Sequence, residues 1–517
     1  MTFAASTFCR TQRTAAALTI FMAATLLPLS FTGGVVTTPA IQRMLGGSPG
    51  ELSWLTNGFM LTFGSFLLTA GIAADAIGRK PVFIAGAVLF CLSSIFTVLT
   101  NNLMMSGILR CVQGLAAAML LASGSALLAR LYTGAARTRM FGLLGTVFGA
   151  GLAFGPLAVG LVTDALTWRW VYILFAVLSG CVLLAGMMFL PLSQQSSLSP
   201  SDKTGLALFT AALMVFTTAV MLLPTQGFLS LLTLALLLSS VLLFSGFIVR
   251  CLRVSNPVLD IHLLRSPRFV GVLLLPLATC YCYVVLLIII PLHFMGGSGF
   301  SESQSAIYLM ALTSPMLVVP YFAALLTRWF SPAALSASGL MLASAGLLFL
   351  SPALRGNSTT LLLIPMLITG AGTGLPWGLM DGLAISSVPV EKAGMAAGLF
   401  NTVRVAGEGI ALAIVSAFLT EMNDLNLNKT VHGFSPQEIH LAASWLGGGN
   451  IQQAITLLTG VPREVVQVSY DNAYSLLFQV LAALTFVCAI TVWVMLGHKA
   501  FDSATASTDS RDDNIEY

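Results

Sequence analysis

Apolar and polar positions along this chain alternate on the scale of whole segments. Fourteen apolar runs, with approximate cores at 15–40, 52–74, 81–99, 103–129, 140–163, 169–192, 205–224, 229–249, 269–293, 304–326, 333–351, 360–385, 394–420 and 473–497, are separated by shorter polar stretches. Runs of about 20 residues are long enough to cross a hydrocarbon core of roughly 30 Å as helices. Lipid offers no water to an open strand edge, so the pattern predicts an all-α membrane protein with fourteen spans. The first run is too long for a signal peptide, lacks a small-residue cleavage pattern and is followed by more runs, so it reads as the first span.

The polar breaks group the spans. A serine-rich stretch, 194–204, follows the sixth, and a basic stretch, 250–268, precedes the last six. This predicts an N-terminal six-helix bundle over 1–195, an inserted helix pair (spans seven and eight) over 196–265, a C-terminal six-helix bundle over 266–500 and a polar cytoplasmic tail over 501–517. The longest polar interval, 423–471, separates the last two spans on the expected outer side. It holds a helix start at Ser435 and Pro436 and the flexible Gly447, Gly448 and Gly449. A connector is the reading adopted, with a substrate lid as the alternative.

Composition leaves only a bilayer as solvent. With 57% hydrophobic and 8% charged residues among 517, and a mean hydropathy of +0.93, the chain cannot clothe a soluble surface. Placing the N-terminus inside puts sixteen Lys and Arg in inner connections and five in outer ones, which predicts a multi-pass protein of the cytoplasmic (inner) membrane with both termini cytoplasmic. The net charge of +4 is this orientation signal, not a nucleic-acid surface. None of the eight cysteines lies in an expected outer loop, which argues against disulfides. Cys280 and Cys282 flank Tyr281 without a histidine pair, so no metal site is expected. No phosphate-binding Gly-x-x-x-x-Gly-Lys-Ser/Thr loop and no nucleophile with its base is present, so neither ATP nor enzymatic chemistry is expected.

The fifth run is punctuated by small residues. At about 100° per residue, Gly142, Gly145, Gly149, Pro156 and Gly160 share one arc of a helix, and Gly151 and Gly155 lie opposite. Two bare faces let one helix lie close against two neighbours, and Pro156 removes a stiffening hydrogen bond, as suits a hinge between moving bundles. The run also repeats: Gly142, Leu143, Thr146 and Val147 match Gly398, Leu399, Thr402 and Val403 in span thirteen, an equivalent place in the second bundle.

Charges near or inside spans are the candidate machinery. Between spans two and three, Gly71, Asp75, Gly78, Arg79 and Lys80 form a helix end and a glycine-permitted turn, read as an ion-pair latch, with plain positive anchoring as the alternative. Arg110 lies near mid-membrane, where its cost makes a functional role the default, against structural neutralisation by carbonyls or water. Asp381 in span twelve, and Arg404 and Glu408 four residues apart in span thirteen, are candidates to carry a proton. The i, i+4 spacing predicts that Arg404 and Glu408 meet, and the alternative is a permanently closed ion pair.

These motifs resemble the fourteen-helix drug–proton antiporter branch of the major facilitator superfamily. Gly142, Gly151, Gly155, Pro156 and Gly160 resemble its fifth-helix antiporter signature, with Val159 standing where glycine usually repeats. The Gly71 to Lys80 turn resembles its loop signature, with Ala73 and Ala76 replacing a leucine and an arginine. Arg110, Gln113 and Gly114 resemble its third signature, and Trp168-Arg169-Trp170 and Asn256-Pro257 are also like that branch. Helix one departs: counting back from Pro39, Ser30 and Val35 stand where an aspartate and an asparagine are usual, although Thr32 fits.

The resemblance implies a monomeric rocker-switch carrier that exports small organic molecules in exchange for protons, with the proton gradient as energy source and no cofactor. Ser30, Thr32, Gln113, Tyr281 and Trp377 are its substrate-cavity candidates. A dedicated exporter of a metabolite, siderophore or antibiotic is the alternative, raised by the missing helix-one aspartate; a non-transporting receptor or accessory subunit is the third. Whether an outer-membrane partner extends the path is not written in the sequence.

Overall fold

The computed structural model describes residues 10–132, 134–192, 202–227, 230–254, 257–355, 359–388 and 393–497, and among them the chain is helical without a strand. The expected tail 501–517, most of the serine-rich linker and Asn256 lie outside the described residues. Among the described residues, fourteen helical segments are long and apolar enough to cross a membrane.

The first eight spans are α1 (Arg10–Leu45), α2 (Pro49–Ile77), α3 (Arg79–Leu99), α4 (Leu103–Leu131), α5 (Gly134–Ala165), α6 (Trp168–Phe189), α7 (Lys203–Gln226) and α8 (Leu231–Arg253). The ninth is α9 (Pro267–Thr279), a π-helical turn (Cys280–Val284) and α10 (Leu286–Gly296). The tenth is α11 (Glu302–Thr313) and α12 (Pro315–Leu326), interrupted where Pro315 lacks an N–H. Then follow α13 (Pro332–Arg355), α14 (Leu363–Ser386), α15 (Ala393–Thr430), two short helices α16 (Pro436–Gly447) and α17 (Ile451–Leu457), and the last span, α18 (Arg463–Leu496).

Helices α1 to α6 pack on one another, chiefly α2 on α4, α3 on α4 and α6, and α1 on α5 and α6. In the second group α13 lies on α14 and α18, α12 on α14 and α9 on α18. The groups meet where α2 crosses α15 and where α5 touches α11 and α14; α7 leans on both α2 and α15, with α8 outside it. One end of the bundle carries the α2–α3 turn and is called the arginine-rich end below; the other carries the α1–α2 and α16–α17 connections.

Local chemistry fixes the ends. Ser48 and Glu51 form a reciprocal capping box at the start of α2, as do Ser301 and Gln304 for α11 and Ser435 and Glu438 for α16. The Ser435 N–H and hydroxyl hold the exposed Glu438 carboxyl below its usual range. At the arginine-rich end, Gly78 turns at φ 116°, a backbone that a Cβ would strain. Asp202 caps α7 by accepting the Gly205 N–H at 3.0 Å, which lowers its carboxyl from the ordinary value despite burial, and Arg250 of α8 adds to the effect at 3.2 Å.

The interval 423–471 is not a loose connector. Ile439, Ala442, Ala443 and Leu446 recur at helical spacing and are buried, so α16 has an apolar face to dock. Gly447 lies against Thr420 of α15 and Gly449 against Leu292 of α10. Asn450 then donates from Nδ2 to Oε1 of Gln42 in α1 at 2.7 Å, so this cap joins the second helix group to the first.

Candidate functional site

The seam between the groups runs along α5, whose small residues are used on two sides. A Cβ on Gly151 would fall 2.5 Å from Pro28 Cγ and 3.1 Å from the Thr25 carbonyl, and one on Gly155 would strike Thr32 Oγ1, so this face lies on α1. On the other side a Cβ on Gly145 would reach Asp381 Oδ2 at 2.9 Å, on Gly149 Trp377 Nε1 at 3.4 Å, and on Gly160 the Glu302 carbonyl at 2.8 Å. That face lies on α14 and α11. Gly142 is the exception: it is exposed, and a Cβ there would meet nothing within 4 Å. Pro156 is buried inside a continuous helix. The repeat shows as matched geometry, since Thr146 and Thr402 each donate to the carbonyl four residues back, Gly142 and Gly398, at 2.9 Å.

At the arginine-rich half of this seam sits a charged cluster. Arg404 is buried, and its Nη1 meets Asp381 Oδ1 at 3.3 Å while Nη2 donates to Asn401 Oδ1 at 2.8 Å. Its guanidinium lies 5.1 Å from the centre of the Phe148 ring of α5 and 5.7 Å from that of Phe400. The expected Arg404–Glu408 pair is not formed. Asp381 on α14 takes the guanidinium, and Glu408, 2% exposed and facing the Cys280 turn, keeps an Oε1 without a hydrogen-bond partner. Spacing along one helix shows which groups can meet, but the neighbouring helix supplied the closer acid.

Arg110 is neutralised by uncharged groups. Its Nε donates to the Leu55 carbonyl at 2.8 Å, Nη1 to Ser30 Oγ at 2.9 Å and Gln113 Oε1 at 2.8 Å, and Nη2 to the Ser30 carbonyl at 3.0 Å; Phe59 lies 4.7 Å below it. Gln113 is held by donating to Ser94 Oγ at 3.0 Å. Ser30 and Gln113 are thus fully enclosed and committed to Arg110, and Thr32 bonds back to the Pro28 carbonyl at 2.9 Å. The turn at Gly78 does close: Arg79 Nη2 meets Asp75 Oδ1 at 2.9 Å and Nη1 the Ala126 carbonyl at 2.8 Å, while Lys80 Nζ binds the Met187 and Leu190 carbonyls at 2.8 and 2.7 Å. These bonds tie α2, α3, α4 and α6 together. A Cβ on Gly71 would make only an ordinary contact with Ala122 Cβ, at 3.9 Å.

The opposite end carries a second inter-group junction that the sequence reading missed. Arg43 at the end of α1 pairs with Glu302 at the start of α11, and Asp164 at the end of α5 accepts the Ser303 N–H at 2.9 Å, capping α11 from the other helix group. The Asp164 and Glu302 side chains also touch. Beside it opens a chamber of about 430 Å³, walled by α1, α2, α7, α10 and α15 and roofed by the α16–α17 cap. None of Ser30, Thr32, Gln113, Tyr281 and Trp377 lines it. Tyr281 lies in the π-helical turn, and the Trp377 ring is tilted by 60° against that of Tyr283 at 6.1 Å with its N–H unpartnered. The only hint in the sequence was the Ser301–Gln304 capping box, which marks a helix end but not what covers it.

Close glycine seams, charges buried where two helix groups meet and a chamber at one end belong to a protein that carries a solute through the bilayer. The class is a multi-pass membrane transporter, not an enzyme. The chain belongs to the Major Facilitator Superfamily, which it matches over residues 16–412. It is 25% identical over 482 residues to the tetracenomycin C resistance and export protein of Streptomyces glaucescens, covering 91% of this chain and 89% of that one. It is 25% identical to the multidrug resistance protein Stp of Mycobacterium tuberculosis, covering 74% of this chain and 72% of the relative. A solved structure of an auto-inhibited POT family peptide transporter shares the fold, with a TM-score of 0.61 and 15% identity over 94% of this chain and 97% of that one. Resistance and export proteins are thus among its relatives.

Proposed function

We propose that the chain is a proton-coupled antiporter of the cytoplasmic membrane, its termini cytoplasmic, exporting small amphipathic organic molecules by alternating access as a monomer and using no cofactor. The observation that carries this is Glu408, a carboxyl buried beside the seam with an unpartnered oxygen, one turn from an arginine already held by Asp381. An enclosed carboxyl without a donor is costly when ionised, so it keeps a proton until water or a rearranged guanidinium reaches it. Because Arg404 also rests on Phe148 of α5, separating the helix groups would disturb the guanidinium and with it the protonation of Glu408. Proton movement and the change of access would then be one event. A dedicated exporter of one antibiotic or metabolite is the second reading, supported by Ser30 in place of the helix-one acid and by the tetracenomycin C relative.

Inverted vesicles energised to an acid lumen test it. Adding ethidium, chloramphenicol or tetracycline should discharge the gradient, read as recovery of a quenched acridine dye, and Glu408→Gln at equal expression should not respond. Full response in the variant removes Glu408 from coupling. No response of the native chain to any of the three overturns polyspecific drug export.

A further inference from the structure

The chamber under the α16–α17 cap has a definite chemistry. At about 430 Å³ it falls in the roughly 300–1,000 Å³ range of small-molecule sites. Its walls supply apolar area from Met221, Leu292, Met295 and Phe300, and the half-buried Trp445 lies in its roof. Among its described lining residues only Arg43 and Glu302 are charged, and they are paired with each other, so none of these presents a free carboxylate to a ligand. A cation placed there would lose water without gaining a counter-charge, which disfavours it strongly.

One lining group is unspent. Asn57, in the third turn of α2, is 6% exposed and its Oδ1 has no hydrogen-bond partner. A buried carbonyl oxygen left in that state costs about 1–3 kcal/mol until a donor reaches it, and because Asn57 lines the chamber, a turn of its amide would bring that oxygen to the donor of a ligand. The roof carries further amides: Gln452 and Gln453 are exposed at the rim, and Asn450 is the group that reaches across to Gln42. The roof is therefore both part of the site and its closure.

We propose that this chamber is a release-side binding site for uncharged amphipathic molecules that offer an O–H or N–H donor to Asn57 Oδ1 and a flat apolar body to the wall beneath Trp445. The assignment rests on the export reading and narrows its substrate class from small amphipathic molecules in general to neutral donor-bearing compounds. Asn57 selects the donor, the absence of an unpaired carboxylate rejects cations, and the α16–α17 cap must lift or tilt for the ligand to leave.

Three matched fluorescent probes separate these features: 1-pyrenemethanol, which is neutral with one O–H; its methyl ether, which has none; and 1-pyrenemethyl-trimethylammonium, a permanent cation. Binding is read by tryptophan-to-pyrene energy transfer with the purified full chain in lipid nanodiscs and no gradient. The alcohol should bind about tenfold more tightly than the ether, the size of one well-made hydrogen bond, and more tightly than the cation. Asn57→Leu should abolish the alcohol–ether difference, Trp445→Ala should weaken both without changing their ratio, and Asn57→Asp should improve binding of the cation. The last is a gain of function that a misfolded variant cannot give. Equal or tighter binding of the cation by the native chain, an unchanged alcohol–ether ratio in Asn57→Leu, or no binding of any probe overturns the proposal. Because the assay has no gradient, a failure of proton discharge in vesicles with binding intact strikes only the export reading. Intact discharge with binding absent strikes only the chamber.

Discussion

Arg404 reaches Asp381 on the neighbouring helix at 3.3 Å and leaves Glu408, one turn along its own helix, with an unpartnered oxygen. The two acids therefore stand in different surroundings, and on the antiport reading proposed above Asp381 is the standing counter-charge and Glu408 the group that changes state. Asp381→Ala, which strands a buried guanidinium, should cost about 3 kcal/mol and lower the thermal midpoint of the purified protein. Adding Arg404→Leu should recover most of the loss, while Glu408→Gln should leave the midpoint nearly unchanged. A larger drop for Glu408→Gln than for Asp381→Ala would reverse the assignment.

The glycines of α5 should differ sharply although they sit on one helix. Gly151→Leu drives a side chain into Pro28 and the Thr25 carbonyl, and Gly145→Leu drives one into Asp381. Overpacking of this kind costs about 1–3 kcal/mol, and because the Gly145 contact lies between the helix groups, vesicle transport should fall at least in proportion for Gly145→Leu. Gly142→Ala meets nothing and should match the native chain or gain up to about 1 kcal/mol of helix stability. Equal sensitivity at positions 142 and 151 would contradict the two-faced seam.

Breaking the Arg43–Glu302 pair should let the chamber end open more often. The arginine is largely exposed, so the pair is worth at most about 1 kcal/mol, close to a fivefold shift in population. A cysteine at Thr56, in a chain whose eight native cysteines are replaced, should react with an impermeant maleimide up to about fivefold faster in Glu302→Gln. Asp164→Ala, which removes the cap on the Ser303 N–H, should act in the same direction. Slower labelling in both variants would mean that the junction props the end open.

The α7–α8 pair should respond to acid through Asp202. Its carboxyl is held below the ordinary value by the Gly205 N–H and by Arg250, so its contribution is present above the unfolded value of about 3.9 and is lost as pH falls through the folded one. Thermal midpoints measured from pH 6 to pH 3 should fall in the native chain, and Asp202→Asn should start lower and fall less. A variant that loses stability as steeply as the native chain would place the acid sensitivity elsewhere.

The spans were legible because lipid imposes one length and one conformation, and hydropathy alone finds both. The two faces of α5 were legible for a related reason: helical geometry fixes which glycines share a side, so only the partners α1, α11 and α14 remained to be seen. Contacts between helices distant in sequence were not legible. The i, i+4 rule suggested Glu408 for Arg404, and no rule along one chain could weigh it against Asp381, 23 residues away. Ser30 and Gln113 were placed in a cavity because polar groups in spans invite that reading, yet Arg110 consumes both. The cap was half visible, since Ser435 and Pro436 announced α16, but its docking on α10 and α15 depends on an apolar face whose target lies far along the chain.

Helix α7 touches both α2 and α15, and on that flank Val220, Met221 and Leu223 form a small apolar cluster with Leu61 of α2 and Ala413 and Ala417 of α15. The inserted pair is thus no passive spacer. In the alternating access proposed above it would act like the spine of a book, stitched to both covers, so that the covers would not part evenly around their rim but swing widest on the far flank.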